Sequence, residues 1–208
     1  MNEACVIFGG TFDPVHNGHV QTARELAARI GFPQVTLMPC GDAYHKASDQ
    51  ASAQDRLEML NLATAAFSEL VVDGRELDRA GPTFTVDTLR QLRSELGPNT
   101  HISWVMGQDA ANGLTRWHQW QDLFQLANLI VVARPDEHWP EMNEWPADVL
   151  TDPETFKQQA HGAVFCMSLT PLAISSSMVR KKVKDQQSID DLVPAPVVNW
   201  IQANGLYR

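Results

Sequence analysis

Cysteine is scarce in this sequence of 208 residues, and the three that occur, Cys5, Cys40 and Cys166, are far apart and form no C-x-x-C pair. An odd number of isolated cysteines is typical neither of a disulfide framework nor of a structural zinc site, so we expect buried, inert thiols in a reducing compartment. The first residues lack the pattern of a signal or transit peptide. No apolar run approaches the ~20 residues that cross a bilayer. These absences predict a cytoplasmic protein without a membrane partner.

Basic residues are also in short supply, with 16 lysines and arginines against 25 aspartates and glutamates and a formal net charge of −9. Affinity for the phosphate backbone needs a basic surface, so this balance argues against a nucleic-acid-binding protein. A small anionic ligand would need positive charge gathered locally. Hydrophobic residues make up 44% and charged residues 20%, as in ordinary globular proteins, and the length predicts one domain over residues 1–208.

Short apolar runs alternate with helical stretches along the chain. The runs at 4–8, 35–38, 70–72, 102–106, 129–133 and 164–167 predict strands. Helices are predicted over 20–30, about 52–67, 85–96, around 117–126, 175–184 and about 196–204, with Thr85 as the cap of the third. This order predicts an α/β fold with a doubly wound, mainly parallel sheet and C-terminal helices. Prolines interrupt the segment 136–161, where we expect a surface insertion.

The segment after the first predicted strand has the properties of a phosphate site. Ligands of open α/β sheets bind beyond the carboxyl ends of the strands, and here Gly9 and Gly10 would let a ligand approach the backbone. The helix that follows offers free N–H groups and the positive end of its dipole. His16 and His19 are three residues apart and share one face of that helix start. A cap with core packing, or a shared metal ion, are the alternative interpretations of the pair.

Two segments resemble the signatures of a known enzyme superfamily. Residues 10–19, G-T-F-D-P-V-H-N-G-H, resemble the first signature of the nucleotidyltransferases that carry H-x-G-H. Residues 174–180, I-S-S-S-M-V-R, resemble the second, commonly I-S-S-T-x-I-R, with Ser177 and Val179 in place of the usual Thr and Ile. Further stretches at 44–46, 82–89, 107–109, 116–117 and 134–135 extend the likeness. Over essentially its whole length the chain resembles the bacterial nicotinate-mononucleotide adenylyltransferases, although residues 42–44 replace the prolines that commonly precede H-K in that family.

The resemblance implies a Rossmann-like nucleotidyltransferase fold and an enzyme that transfers the adenylyl group of ATP to nicotinate mononucleotide. The products would be nicotinate adenine dinucleotide (deamido-NAD) and pyrophosphate, in NAD biosynthesis. Mg²⁺ is the implied cofactor, held by ATP phosphates and water rather than by protein side chains. The open alternatives are an adenylyltransferase for phosphopantetheine or nicotinamide mononucleotide, and a non-catalytic nucleotide sensor. Because the attacking phosphate is already an anion, the reaction needs alignment and charge neutralisation rather than a strong base.

The resemblance also implies roles for individual residues. His16 and His19 would be catalytic, donating hydrogen bonds from neutral imidazoles to the transferring phosphoryl group. ATP contacts are implied for Gly9, Gly10, Thr11, Phe12, His16, His19, Gly107, Asp109, Arg134, Ser175, Ser176 and Arg180. Nicotinate mononucleotide contacts are implied for His45, Lys46, Thr85, Val86, Trp117 and His118.

Simpler structural roles stay open for several of these residues. Ser175, Asp109 or Thr85 would then be helix caps, Trp117 would only pack, and Lys46 and Arg134 would be surface charges. The loop 41–48 follows a strand at the ligand-binding edge and has no apolar periodicity. We expect that loop to be mobile without ligand and to order around bound nucleotide.

Overall fold

The computed structural model describes residues 4–41, 51–133, 139–170 and 172–208. Within these ranges one sheet contains β1 (Ala4–Gly10), β2 (Val35–Pro39), β3 (Leu70–Val72), β4 (His101–Gly107), β5 (Asn128–Ala133), β6 (Asp148–Leu150) and β7 (Ala163–Ser168). The strand order is β3-β2-β1-β4-β5-β7-β6, and every neighbouring pair is parallel. The prediction of a doubly wound parallel sheet is confirmed.

Helices connect the strands and close the chain. They are α1 (Asn17–Ile30), α2 (Ala53–Thr64), α3 (Thr85–Leu96), α4 (Gln108–Asn112), α5 (Leu123–Leu126), α6 (Pro153–Lys157), α7 (Ser176–Lys184) and α8 (Ala195–Ala203). Local chemistry explains their ends. At the end of α1, Gly31 adopts a left-handed conformation with φ of 77°, and its N–H returns to the carbonyl of Ala27. A residue without Cβ takes that conformation at little cost, so the helix stops there.

The core lies on both faces of the sheet. Successive residues of a strand point to opposite faces, and Val6 and Ile7 of β1 accordingly belong to different apolar clusters. The cluster of Val6 includes buried residues of α1, α2 and α8, whereas the cluster of Ile7 includes those of α3. Both residues are at most 1% exposed. Two-sided burial explains why the predicted strands are continuous apolar runs rather than alternating ones.

The strand order places a topological switch point beside β1. Ile7 of β1 lies opposite Thr36 of β2 on one side and opposite Trp104 of β4 on the other. After β1 the chain passes through α1 to β2, on one side of β1. It later passes through α3 to β4, on the other side of β1. The crevice beyond the carboxyl ends of β1 and β4 is where open α/β sheets bind ligands.

Three local predictions are wrong. Thr85 is the first residue of α3 and not its cap, because the extended backbone of the N-cap belongs to Phe84. The helix predicted around 117–126 is reduced to one 3₁₀ turn (Trp120–Asp122) and the short α5, since Gln119 adopts a left-handed φ of 49°. The segment 136–161 is more than a surface insertion: β6 pairs with β7, and the ring of Phe156 is fully buried.

The three cysteines are unpaired, and each is partly rather than fully buried. Burial raises the pKa of Cys5 and of Cys166 to about 11, so both thiols are protonated and unreactive at neutral pH. The expectation of inert thiols therefore holds for Cys5 and Cys166, although neither side chain is fully buried. Among the helices of the described ranges, none combines the length and apolar character needed to cross a membrane.

Candidate active site

A cleft of about 240 Å³ opens at the carboxyl ends of β1, β4 and β5. It brings together four of the residues predicted to bind ATP: His16 and His19 from the start of α1, and Gly107 and Asp109 from the start of α4. The other lining residues are Gly18, Thr22, Gln108, Val132, Ala133, Leu169, Thr170, Leu172 and Ile174. A larger cavity of about 600 Å³ lies between α7 and α8 but carries no residue of either motif, so size alone does not locate the site.

His16 and His19 form a reciprocal cap at the start of α1. Nδ1 of His16 accepts the backbone N–H of His19 at 3.3 Å, and Nδ1 of His19 accepts the backbone N–H of His16 at 3.2 Å. The two rings stack with their centroids 3.6 Å apart and an interplanar angle of 20°. A neutral imidazole has one accepting nitrogen, so each ring carries its proton on Nε2. The cap thus fixes two N–H donors of known tautomer at the edge of the cleft.

The electrostatic environment keeps both rings neutral. Burial lowers the pKa of His16 to about 4. Burial also lowers the pKa of His19 well below its ordinary value, and the neighbouring His16 adds to that effect. The positive end of the α1 dipole disfavours an added proton in the same direction. The predicted neutral imidazoles are therefore what the geometry supports, and the helix-cap interpretation is correct alongside it.

The first glycines of the motif are explained by packing. A Cβ added at Gly9 would lie 2.4 Å from the indole ring of Trp104, and one at Gly10 would lie 3.0 Å from the ring of Phe12. Phe12 itself is 2% exposed, adopts a left-handed φ of 49° and contacts the ring of His19 edge-on. A contact between ATP and these residues would have to use their backbone. Gly107 differs, because nothing lies within 4 Å of its missing Cβ.

The second motif is attached directly to the first. Ser175 is the N-cap of α7 and accepts the backbone N–H of Met178, which makes the cap interpretation of this serine correct. The hydroxyl of Ser176 donates to the carbonyl of Pro14 at 2.8 Å. The guanidinium of Arg180 donates to the carbonyl of Asp13 at 2.6 Å, and 30% of that side chain is exposed. Two segments far apart in the sequence are thereby held together beside the cleft.

Four of the residues predicted to bind nicotinate mononucleotide, Thr85, Val86, Trp117 and His118, lie at the start of α3 and in the segment 117–118. The ring of Phe84, which is exposed, lies 4.5 Å from the ring of His118. Thr85 makes no capping bond there, and the side chain of Val86 is fully buried, so only its backbone could face a ligand. Trp117 is partly buried against the core, so packing accounts for part of its ring. The ring contact of Phe84 with His118 therefore places the start of α3 beside the segment 117–118.

Three predicted contacts, His45, Lys46 and Arg134, lie outside the described residues, as does most of the loop 41–48. Of the remaining alternatives, the cap interpretation of Asp109 is wrong, because Gly107 is the N-cap of α4 and Asp109 is an exposed residue of its first turn. In the described ranges, no three His, Cys, Asp or Glu side chains come close enough to hold a metal ion.

Sequence reasoning missed Arg56, a buried arginine of α2 that is 2% exposed. Its Nη1 donates to the carbonyls of Thr11 at 2.9 Å and Cys40 at 2.8 Å, and its Nη2 to the carbonyl of Gly41 at 3.4 Å. The guanidinium thus joins the loops after β1 and β2. Its helical spacing could have indicated burial. Arg56 precedes the buried Met59 and Leu60 by three and four residues and so lies on the apolar face of α2.

Comparisons with known proteins agree with this architecture. Residues 7–182 match the family model described as cytidylyltransferase-like. A protein of Marinomonas sp. strain MWYL1 named a "probable nicotinate-nucleotide adenylyltransferase" is 39% identical over 97% of this chain and 93% of its own. One of the same name from Pectobacterium atrosepticum is 38% identical over the full length of both.

Solved structures share the fold at lower identity. The nicotinic acid mononucleotide adenylyltransferase of Plasmodium falciparum, complexed with NaAD, superposes with a TM-score of 0.74 and 18% identity. The superposition covers 99% of this chain and 97% of that one. The same enzyme complexed with APC gives a TM-score of 0.72 at 19% identity, over 100% and 98% of the two chains. The likeness therefore extends over the whole sheet and its flanking helices.

Proposed function

We infer that this chain, which belongs to the cytidylyltransferase-like family and to the nicotinate-nucleotide adenylyltransferases within it, transfers the adenylyl group of ATP to nicotinate mononucleotide. The products are nicotinate adenine dinucleotide and pyrophosphate, which makes the protein an enzyme of NAD biosynthesis. The observation that carries this function is the reciprocal cap of His16 and His19, because it presents two neutral Nε2–H donors in a cleft at the switch point.

The reaction forms a bond between a 5′-phosphate oxygen of nicotinate mononucleotide and the α-phosphorus of ATP, and it breaks the bond from that phosphorus to the β-phosphate. The nucleophile is already an anion, so no proton has to be removed from it. Charge builds on the oxygens of the transferring group, where fixed donors stabilise the transition state more than the ground state. His16 and His19 supply those donors, and neutral rings lose no proton in doing so.

The triphosphate lies against the start of α7 in this proposal. Ser175 and Ser176 begin that helix, and Arg180, one turn later, offers a partly exposed guanidinium. The helix start adds the positive end of its dipole. Gly107 leaves open space for the nucleoside, and the carboxylate of Asp109 is placed to accept hydrogen bonds from ribose hydroxyls. Arg180 and the start of α7 thus gather locally the positive charge that an acidic protein needs for an anionic ligand.

Mg²⁺ enters with ATP in this proposal, held by phosphate oxygens and water. When bound, the ion neutralises charge on the leaving pyrophosphate. The donor set supports this arrangement, because within the described part of the chain the cleft offers the carboxylate of Asp109 and no cluster of three ligating side chains. The histidines, the helix starts and Arg180 supply further stabilisation of the phosphate charge.

The start of α3 selects the acid over the amide. The first turn of a helix has N–H groups without a helical carbonyl to bind, and those of Thr85 and Val86 belong to that turn. A carboxylate accepts hydrogen bonds only, whereas a carboxamide would turn an NH₂ toward these donors or forfeit a contact. Trp117 would stack on the pyridine ring, and the backbone N–H of His118 would add another donor. In this proposal His45 and Lys46 keep their predicted contacts with nicotinate mononucleotide, and Arg134 keeps its predicted contact with ATP.

ATP and nicotinate mononucleotide are the small-molecule partners, and we place the enzyme in the cytoplasm, in keeping with its unpaired cysteines. Incubating the pure protein with ATP, Mg²⁺ and each candidate acceptor tests the function. Pyrophosphate release with nicotinate mononucleotide, together with a product of the mass of nicotinate adenine dinucleotide, is expected. Turnover with phosphopantetheine instead would indicate another adenylyltransferase, and no turnover with any acceptor would indicate a nucleotide sensor.

A further inference from the structure

The end of the chain reaches back to the first motif. The hydroxyl of Tyr207 donates a hydrogen bond of 2.7 Å to Oδ1 of Asp13, which lies 194 positions earlier in the sequence. Gly205 and Tyr207 both adopt a left-handed backbone with φ of 62°, and this bends the last residues toward the site. Such a conformation is unfavourable for a residue with a Cβ, so the surrounding contacts must hold the tyrosine there.

Asp13 is a buried carboxylate on which several segments converge. It is 2% exposed, and its Oδ1 accepts the backbone N–H of Ala51 at 3.0 Å as well as the hydroxyl of Tyr207. Its Oδ2 has no hydrogen-bond partner among the described residues. Nη1 of Arg180 lies 3.8 Å from Oδ2 while it donates to the backbone carbonyl of Asp13 at 2.6 Å.

The guanidinium of Arg180 has two acceptors on Asp13 within reach, the backbone carbonyl and Oδ2. A buried carboxylate with too few donors is costly, so it draws in any donor within reach. The bond from Tyr207 satisfies Oδ1 and leaves Arg180 on the backbone carbonyl, with part of its side chain still exposed. Burial and the neighbouring carboxylate raise the pKa of the Tyr207 phenol, so this donor keeps its proton at physiological pH.

We propose that Tyr207 is a positioning residue for adenylyl transfer, because its hydrogen bond to Oδ1 of Asp13 weakens the pull of that carboxylate on Arg180 and so keeps the guanidinium available to the triphosphate of ATP. Without the hydroxyl, the ion pair between Asp13 and Arg180, which spans 3.8 Å here, shortens and draws the guanidinium away from the triphosphate. The proposal rests on the proposed function in one respect, which is that Arg180 binds ATP. It assigns to the C-terminal residues a role in nucleotide binding that no local sequence pattern indicates.

The test compares Tyr207→Phe with a matched control. Tyr207→Phe keeps the ring and removes only the hydroxyl. Trp200→Phe removes another hydrogen bond of the C-terminal segment, from Nε1 of Trp200 to Asp55 at 3.3 Å, without touching Asp13. Calorimetry with a non-hydrolysable ATP analogue gives Kd, and steady-state kinetics give kcat and the KM of each substrate. All are measured well below the Tm of the least stable variant, so a loss of stability does not mask the result.

The expected result separates the two substrates. Tyr207→Phe raises the Kd of the analogue and the KM of ATP about tenfold, the scale of one hydrogen bond to a charged group, and leaves the KM of nicotinate mononucleotide within about twofold. Trp200→Phe leaves all three constants within about twofold. Equal constants for Tyr207→Phe and the unchanged protein would overturn the proposal, and so would equal increases for both substrates.

A double-mutant cycle identifies the route of the effect. In an Arg180→Ala background, Tyr207→Phe should change the Kd of the analogue by less than about twofold, because the guanidinium it positions is gone. Full additivity would overturn the proposal. The analogue arm needs no acceptor. If the protein binds the analogue with this Tyr207 dependence but makes no nicotinate adenine dinucleotide, the proposed function fails and the positioning role stands. If the protein makes nicotinate adenine dinucleotide but binds the analogue without that dependence, the proposed function stands and the positioning role fails.

Discussion

The imidazole rings of His16 and His19 cap one another: each Nδ1 accepts the backbone N–H of the other residue, at 3.3 and 3.2 Å. This bond pair explains the spacing of the motif, since the N-cap and the third helical residue are the two positions that a capping box joins. It also explains the glycine between them, because a Cβ at Gly18 would lie 3.0 Å from the His16 ring. The same geometry fixes both Nε2–H groups as donors to a phosphoryl group.

Replacing His19 by alanine should lower kcat by about 10²–10⁴, the range for removing one well-placed donor from a charged transition state. The loss of the cap should cost about 1 kcal/mol of stability as well. Ser52→Ala is the control, because it removes the side-chain cap of α2 without touching the cleft. Kinetics and thermal unfolding of both variants measure the two effects. Near-normal turnover by folded His19→Ala would remove this residue from the mechanism.

Stability should fall as the pH drops from about 6.5 toward 4. Burial lowers the pKa of His101 and of His16 to about 4, whereas an unfolded histidine titrates near 6.5. In that window the unfolded chain binds protons that the folded chain does not, so acid favours unfolding. Each histidine should contribute a loss of about 2 kcal/mol between pH 7 and pH 5.

Urea unfolding at several pH values measures this loss. His101→Asn should reduce this dependence of stability on pH by the contribution of one histidine. A free energy of unfolding that does not change from pH 7 to pH 5 would contradict the lowered pKa values, because it would mean that the folded and unfolded chains take up protons equally.

Gly9 and Gly107 should respond differently to alanine. At Gly9 the new Cβ would meet Trp104, so Gly9→Ala should destabilise the fold by about 1–3 kcal/mol. At Gly107 nothing is displaced within the protein, but the position lines the cleft. Gly107→Ala should therefore raise the KM of ATP severalfold with little change in Tm. Kinetics and thermal unfolding distinguish the two, and the reversed pattern would contradict the placement of ATP beside Gly107.

Replacing Arg56 by lysine should lower kcat/KM by about tenfold, because an ammonium cannot reproduce the fork that bonds the loops after β1 and β2. Arg24→Lys is the control, since Arg24 is half exposed and pairs with Glu69 on the surface. Steady-state kinetics on both variants check the expectation. Unchanged kcat/KM for a folded Arg56→Lys would mean that holding these carbonyls does not matter for the reaction.

The individual strands of the parallel sheet and the two histidines could be predicted because their signals are local. The apolar runs that became β1, β4 and β5 are buried on both faces, and the H-x-G-H spacing encodes the cap within four residues. The edge strand β6 could not be predicted, since three partly exposed residues carry too little pattern. The contact of Tyr207 with Asp13 could not be predicted either, because it joins residues 194 positions apart and depends on the completed fold.

The most direct test of the account is the ratio of kcat/KM for nicotinate mononucleotide to kcat/KM for nicotinamide mononucleotide, measured with saturating ATP and Mg²⁺. The start of α3 presents donors that suit a carboxylate, and a carboxamide would leave one of them unpaired at a cost of roughly 2–4 kcal/mol. The account therefore predicts a ratio of at least ~30 in favour of the acid. A ratio near one, or a preference for the amide, would contradict the assignment to nicotinate mononucleotide.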